Sequence, residues 1–349
     1  MMLAMSTHFL QIEPTTRCNF TCGFCAGRSM PQTDLSETTW QTTLAAFPSL
    51  AHVELQGEGE SFMHPRFFAM IRELRARGTR VSIITNGSYL SQPNVDALLD
   101  AGIERVSVSM ESADEGLFRQ IRGGRLDKVR RGIETLLATR HARGLDRPSV
   151  GISVTVLAKT RGELPGIVAL YETLGLDGGI TMQPLERKAD YVAHYDAEML
   201  AQTLSDDEVG DLYVEFMGDR RLRALQKARS KVPGFYDELM AGWRPSQRRC
   251  PWLDGGAFVT NDGRVSPCCM VKDPAHSLGR IGSDAPEVIE GRRASLRDTL
   301  AAGTVPAPCK GCELARFAVI GKPALLYWGA RGLWRRLFGT LGSQPIDRL

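Results

Sequence analysis

Eight cysteines carry the first chemical signal in this sequence, because they fall into two groups separated by more than 220 residues of cysteine-free chain. Cys18, Cys22 and Cys25 have the spacing Cys-x3-Cys-x2-Cys, and Cys250, Cys268, Cys269, Cys309 and Cys312 form the second group. Close pairs such as Cys22/Cys25 and Cys309/Cys312 suit metal chelation better than structural disulfides. Three thiolates on one short loop can grip three corners of an iron–sulfur cluster and leave the fourth iron open, whereas an electron-transfer cluster normally takes four cysteines. A zinc site completed by a distant ligand is the alternative, as are reduced structural thiols. In the second group, Cys250 and Cys268 enclose the hairpin signal Asn261-Asp262-Gly263, and Cys309-x2-Cys312 follows about 40 residues later. Four thiolates from three places could saturate one cluster, and a zinc ribbon fits the same spacing.

The composition bounds what can hold these thiols. The chain has 349 residues, 43 Lys and Arg against 40 Asp and Glu, a net charge of +3, 43% hydrophobic and 24% charged residues. That is globular composition, long enough for one large α/β unit with an appendage or for two domains. With only 7% aromatic residues and near-neutral charge there is no sign of a nucleic-acid groove. MMLAMSTHFLQIEPT has no basic segment followed by an apolar run, and no stretch of 18 apolar residues occurs, so neither a signal peptide nor a spanning helix is expected. A cytoplasmic setting follows as the expectation, and there thiols serve metals or catalysis.

Elements that could position the thiols alternate through the first half. Strands are expected at Phe9–Glu13, Ala51–Leu55, Arg80–Thr85, Glu104–Met110, Val150–Leu157 and Gly179–Met182. Helices are expected at Ser36–Phe47 with Ser36 as N-cap, Pro65–Arg77, Gln92–Ala101, Leu126–Ala142 and Gly162–Leu174, most with glycine just past the end. Strands separated by helical crossovers form a parallel sheet. The first cysteine loop then leaves the carboxyl end of the first strand, the edge that carries chemistry in barrel-like α/β proteins. Residues 196–245 read as helices and linker, and strands Ala257–Thr260 and Arg264–Ser266 flank the hairpin turn. Because neighbours on a strand face opposite ways, only one of Cys268 and Cys269 could join a common site there, which leaves the other as a packed thiol.

Cys18-Asn-Phe-Thr-Cys22-Gly-Phe-Cys25, with Phe24 before the last cysteine, resembles the signature of the radical S-adenosylmethionine superfamily. Later segments are similar to the family's motifs in the same order: Gly57-Glu-Gly59-Glu60, Thr85-Asn86-Gly87, Ser109-Met-Glu111 and Ile121-Arg122-Gly123-Gly124. Ser61 stands where the family has proline and Glu111 where it often has aspartate. The resemblance implies a partial (β/α)6 TIM-like barrel and a 4Fe–4S cluster on Cys18, Cys22 and Cys25. It also implies S-adenosylmethionine contacts from Phe24, Gly57, Gly59, Glu60, Asn86, Ser109, Glu111 and Arg122, the arginine as a bidentate clamp on the cofactor carboxylate. Cys250-x12-Gly263-x4-Cys268 with Cys309-x2-Cys312 resembles the shortened, twitch form of the SPASM extension, a small α+β module. It implies one auxiliary 4Fe–4S cluster on Cys250, Cys268, Cys309 and Cys312, with the Gly-x4-Cys spacing choosing Cys268 and leaving Cys269 as the packed thiol.

Four segments are implied: a barrel core over residues 1–195, a helical linker over 196–247, the auxiliary-cluster module over 248–318 and a basic aromatic tail over 319–349. The resemblance further implies reductive cleavage of S-adenosylmethionine to a 5′-deoxyadenosyl radical, hydrogen abstraction from substrate and electron transfer to the auxiliary cluster. The expected partners are an electron donor such as flavodoxin or ferredoxin and a small-molecule substrate. A peptide substrate with a separate recognition protein is the alternative, and a non-catalytic iron–sulfur or zinc protein a further one. No general acid or base is identified; Glu186 and Asp254 are candidates by position alone. The tail combines Leu325, Tyr327, Trp328 and Trp334 with Arg331, Arg335 and Arg336, a pattern that fits docking onto the protein or contact with a membrane surface.

Overall fold

Buried apolar runs and half-apolar helical stretches fold as successive βα units. The description rests on a computed structural model covering residues 7–229, 233–243, 247–312, 314, 315 and 318, so the tail over 319–349 lies outside the described residues. Strand β1 (Phe9–Ile12) leads to α1 (Glu37–Ala46), β2 (His52–Leu55) to α2 (Phe67–Ala76) and β3 (Arg80–Thr85) to α3 (Gln92–Asp100). Strand β4 (Arg105–Ser109) leads to α4 (Glu115–Arg122) and α5 (Leu126–Ala142), and β5 (Ser149–Val156) to α6 (Leu164–Thr173) and then β6 (Ile180–Pro184). Ser36 caps α1 by accepting from the Thr39 amide at 3.0 Å, as expected. Leu10, Ile12, Val53, Leu55, Val81, Ile83, Val106 and Val108 are buried on one face and Gln11, Glu54, Ser82 and Ser107 between them on the other, so both faces of these strands are covered, as in parallel sheets flanked by helices.

Helices α7 (Ala189–Val192), α8 (Ala197–Leu200), α9 (Asp206–Gly218), α10 (Arg220–Arg229), α11 (Phe235–Leu239) and α12 (Pro251–Gly255) follow. They lead into strands β7 (Gly256–Val259), β8 (Arg264–Ser266) and β9 (Gly279–Arg280), and then α13 (Pro286–Ala301). One nine-stranded sheet contains all strands among the described residues, in the order β6-β5-β4-β3-β2-β1-β7-β8-β9. Its first six strands form the parallel core of a partial (β/α)6 barrel. Strand β7 then pairs in parallel with β1, Phe9 opposite Gly256, while Phe9 on its other edge lies opposite His52 of β2. The β7–β8 hairpin is antiparallel, with Gly263 at φ +84° in the turn that Asp262-Gly263 signalled. The cysteine-bearing module therefore continues the barrel's own sheet.

Helices α4 and α13 fall outside the expected elements. The first is eight residues long and mostly polar, and the buried stripe of the second, Ile289, Arg293 and Leu300, contains an arginine. That guanidinium donates to Thr7 Oγ1 at 2.7 Å, the Gly256 carbonyl at 3.0 Å and Glu290 at 2.8 Å, anchoring α13 beside β1 and β7. No helix among the described residues is long and apolar enough to cross a membrane.

Replacing Arg293 by methionine keeps volume but strands these buried acceptors. The expected cost is about 3 kcal/mol, read as a lower urea midpoint with an unchanged slope; an unaltered midpoint would show that the anchor contributes nothing.

Candidate metal centres and the polar network between them

Strand β1 ends at Ile12, and the segment after it is fixed before the cysteines begin. Thr16 exchanges hydrogen bonds with the Thr33 backbone, Arg17 pairs with Asp34 at 2.7 Å, and the Glu60 amide donates to the Arg17 carbonyl at 2.8 Å. The three thiols beyond are each met by a different strand end. Asn86 Nδ2, after β3, lies 3.8 Å from Cys18 Sγ, and Arg122 of α4 lies 3.8 Å from Cys22 Sγ. Cys25 Sγ lies 3.4 Å from the Glu58 carboxylate, after β2. Burial pushes the Cys22 thiol up to about 11 against the pull of Arg122. It also raises Cys18 and lifts Cys25 well above the ordinary range, with Glu58 adding to the rise at Cys25. Buried thiols with N–H donors aimed at two of them suit a cationic metal centre, which displaces the proton and stabilises the thiolate.

The other residues expected around S-adenosylmethionine converge on the same edge, with altered roles. Glu60 is buried, and its carboxylate accepts from the Asn86 amide at 2.7 Å and Thr85 Oγ1 at 2.8 Å. Burial raises its pKa despite those donors. Gly57 and Gly59 do not open space for a ligand. A Cβ on Gly57 would sit 2.2 Å from the Glu13 side chain, and one on Gly59 2.2 Å from the Thr15 carbonyl. Their bareness lets the β2 loop pack on the chain leaving β1.

Glu111 and Arg122, expected as separate cofactor contacts, meet each other. Arg122 donates from Nε and a terminal nitrogen to the two Glu111 oxygens, the second bond at 2.6 Å, and the pair is buried. The bidentate fork expected for a cofactor carboxylate is thus occupied by Glu111, and the remaining nitrogen faces Cys22. Phe24 lies under the same guanidinium, 5.8 Å from ring centre to Cζ. Ser109 ends β4 opposite Ser153 of β5. The buried Ser153 hydroxyl has no hydrogen-bond partner among the described residues, nor has the Gln56 side-chain carbonyl beside Gly57 or the Tyr195 hydroxyl. These orphaned polar atoms belong to segments at the sheet edge where the cofactor was expected.

The second group assembles from three segments. Cys250 caps the start of α12, Cys268 lies just past β8, and Cys309 and Cys312 close a turn in which the Cys312 amide donates to the Cys309 carbonyl at 3.0 Å. Burial raises Cys250 to about 12 and Cys309 to about 11; Cys312 and Cys309 add to the rise at Cys250, and Cys312 to that at Cys309. Cys268 is held well above the usual range by burial, with Cys269, Cys250 and Cys312 raising it and Lys188 pulling it down. Lys188, from the loop after β6, is buried and donates to the Pro308 carbonyl at 2.8 Å. A buried ammonium beside a set of thiols is again the setting of a site that carries thiolates. Strand alternation does not separate Cys268 from Cys269, because β8 ends at Ser266 and both cysteines lie in the turn beyond it. Among the described residues no three His, Cys, Asp or Glu side chains meet at the spacing of a single ion.

Cys269 faces a buried polar network that reaches Cys25 of the first group. Its Sγ lies 3.8 Å from Tyr236 Oη, and its carbonyl accepts from Tyr191 Oη at 3.5 Å. Tyr191 also donates to Glu58 at 3.2 Å, and Lys272 Nζ pairs with Glu58 at 2.6 Å beneath the Tyr191 and Phe258 rings. Alone, burial would raise the Glu58 pKa and lower that of Lys272; together they hold the carboxyl below and the ammonium above their ordinary values. Behind them Glu13 accepts from the Glu58 amide at 2.8 Å and the Asn261 amide at 3.3 Å. None of Glu13, Glu58, Lys188, Tyr191, Tyr236 or Lys272 stands out in the sequence; only the Glu58-Gly59-Glu60 doubling of acids was a readable hint. Of the two positional candidates, Asp254 pairs with Arg249 at 3.0 Å, and Glu186 accepts from the Arg187 and Lys188 amides.

Residues 12–165 match the profile of the Radical SAM superfamily, and residues 250–313 that of an iron–sulfur cluster-binding domain, SPASM. The tungsten-containing aldehyde ferredoxin oxidoreductase cofactor-modifying protein of Pyrococcus furiosus is 28% identical over 74% of this chain and 70% of its own length. A probable GTP 3′,8-cyclase of Halobacterium salinarum is 25% identical over 84% of this chain and 85% of its own. In fold, Streptococcus suis SuiB solved with S-adenosylmethionine superposes at TM-score 0.63 and 14% identity, over 90% of this chain and 72% of SuiB. The structure of anSMEcpe with bound AdoMet also gives 0.63, at 16% identity over 89% and 88% of the two chains. The chain thus contains a Radical SAM superfamily domain over residues 12–165 and a C-terminal SPASM iron–sulfur domain over residues 250–313. Its cofactors are accordingly S-adenosylmethionine and iron–sulfur clusters, and the two buried thiol sets fit them.

Changing Lys272 to methionine leaves Glu58 charged, buried and without its ammonium. A loss of about 3–5 kcal/mol is expected, with more than half recovered when Glu58→Gln is added. Additive losses in that double-mutant cycle would contradict direct pairing.

Proposed function

We propose that the chain is an oxidoreductase acting on a small molecule, which it dehydrogenates or joins oxidatively. The observation that carries this reading is the single buried network of Glu58, Lys272 and Tyr191 that both Cys25 and Cys269 border, so substrate beside it would lie between both thiol sets. When bound, a reduced 4Fe–4S cluster with S-adenosylmethionine supplies a 5′-deoxyadenosyl radical able to take a substrate hydrogen atom. Cys18, Cys22 and Cys25 would hold that cluster, and Asn86 and Arg122 would orient its thiolates by N–H donation. Glu111 keeps the Arg122 charge fixed at that edge. Glu60 retains acceptor capacity for an ammonium beyond its present donors, and Gly57, Gly59, Ser109 and Phe24 shape the same side.

Cys250, Cys268, Cys309 and Cys312 would fill every protein-facing corner of an auxiliary 4Fe–4S cluster. Such a centre has no iron open to substrate and is suited to accepting an electron. The substrate then gives up one hydrogen atom, one proton and one electron. Support for a small molecule comes from the relatives' own descriptions, a cofactor-modifying protein and a GTP cyclase, matched over 70% and 85% of their lengths.

Anaerobic reconstitution should load about eight irons per chain and form deoxyadenosine with a chemical reductant. Cys268→Ala should retain about four irons and Cys269→Ala about eight. An intact chain that binds about four irons, or forms no deoxyadenosine, would contradict the reading. A two-hydrogen mass loss in a candidate metabolite would identify the reaction.

A further inference from the structure

Two buried cations near the thiols are neutralised by a carboxylate, Arg122 by Glu111 and Lys272 by Glu58. Lys188 differs from both. It is 3% exposed, its ammonium donates to the Pro308 carbonyl at 2.8 Å, and among the described residues no carboxylate lies within ion-pair distance of it. Asp190, two residues on, feels the charge but spends Oδ2 on the Lys272 and Asp273 amides, at 2.7 and 3.1 Å. A desolvated ammonium is costly unless an anion faces it. The groups left to supply that anion are the thiols of the second set.

The position of the side chain agrees. Its stem lies along the turn from Cys309 to Cys312, where a Cβ on Gly311 would come 3.6 Å from Lys188 Cγ and 3.7 Å from Lys188 Cα. Pro308, which accepts from the ammonium, directly precedes Cys309. Cys268 and Cys309 both feel the charge, which favours their thiolates against burial. The loop that carries it is held from two sides. Glu186 accepts the Arg187 and Lys188 amides at 2.9 and 2.8 Å, and Asp190 holds the segment that follows Cys269. A charge fixed away from water acts on its neighbours more strongly than one in solvent. Beside thiolates that hold iron, it favours the state with one more electron, because net charge and hydrogen bonding set the potential of such centres.

We propose that Lys188 is a positioning residue for electron acceptance: its buried ammonium balances the charge on Cys250, Cys268, Cys309 and Cys312 and raises the reduction potential of the centre they hold. This rests on the functional reading above, in which that centre takes the substrate's electron. The test is a potentiometric titration of the anaerobically reconstituted full chain, with electron paramagnetic resonance reading each reduced cluster and the first identified by its response to S-adenosylmethionine. Lys188→Gln keeps an N–H donor for Pro308 and loses the charge. It should lower the second cluster's one-electron reduction constant about tenfold, a shift of about 59 mV to more negative potential, and leave the first cluster unaltered. Lys188→Arg, which keeps the charge, should stay within about threefold of wild type. Should the glutamine chain load a single cluster, Lys188→Met reads the lost charge in its place. An unaltered second-cluster potential in the neutral variants, an equal shift in both clusters, or an equal fall in Lys188→Arg would overturn the proposal. A wild-type chain with one reducible cluster would overturn the functional reading, and the proposal with it.

Discussion

The double edge of β1 is the constraint on which the rest depends. A four-residue strand pairs in parallel with β2 on one side and β7 on the other, and the loop leaving its end carries Cys18, Cys22 and Cys25. Any shift in either ladder would move the thiol loop relative to one of its partners, because parallel pairing fixes register residue by residue. Glu13, the first residue past the strand, uses its two carboxylate oxygens on the amides of Glu58 and Asn261, one from the loop after β2 and one from the turn after β7. Thus one buried side chain sets the separation between the barrel loop and the cysteine hairpin.

Within that frame the buried charges are organised in pairs. Arg122 meets Glu111 beside Cys22, and Lys272 meets Glu58 beside Cys25 and Cys269. A lone charge at such depth would be neutralised or drive the site open, whereas a paired one can remain and polarise what binds next to it. Lys188 extends the same pattern to Cys268 and Cys309 from a loop of the barrel. The cations that face the second thiol set and the network around Glu58 thus come from both parts of the chain.

The sequence made some of this legible and hid the rest for physical reasons. The thiol loop was readable because multi-point chelation from one loop demands short, fixed spacing, and the parallel sheet because its strands are short apolar runs separated by helices. Boundaries of β3 and α5 coincide with expectation. The Arg122–Glu111 pairing was not readable: each residue fits a motif alone, and only α4, itself unforeseen, brings them together. Tyr191, Tyr236 and Lys272 lie on elements far apart in sequence, so their meeting depends on β7 joining β1, which no local pattern encodes. The argument for Cys269 failed at its premise, since strand alternation ends with β8 at Ser266.

The central claim is that the two thiol sets hold two distinct clusters on either side of one buried polar network, one of them with an open iron. Mössbauer spectroscopy of the anaerobically reconstituted chain, before and after adding S-adenosylmethionine, tests it most directly. The account predicts two 4Fe–4S spectra, with about one iron in eight changing its isomer shift on addition of the cofactor. A single cluster type, or spectra in which no iron responds to S-adenosylmethionine, would contradict it.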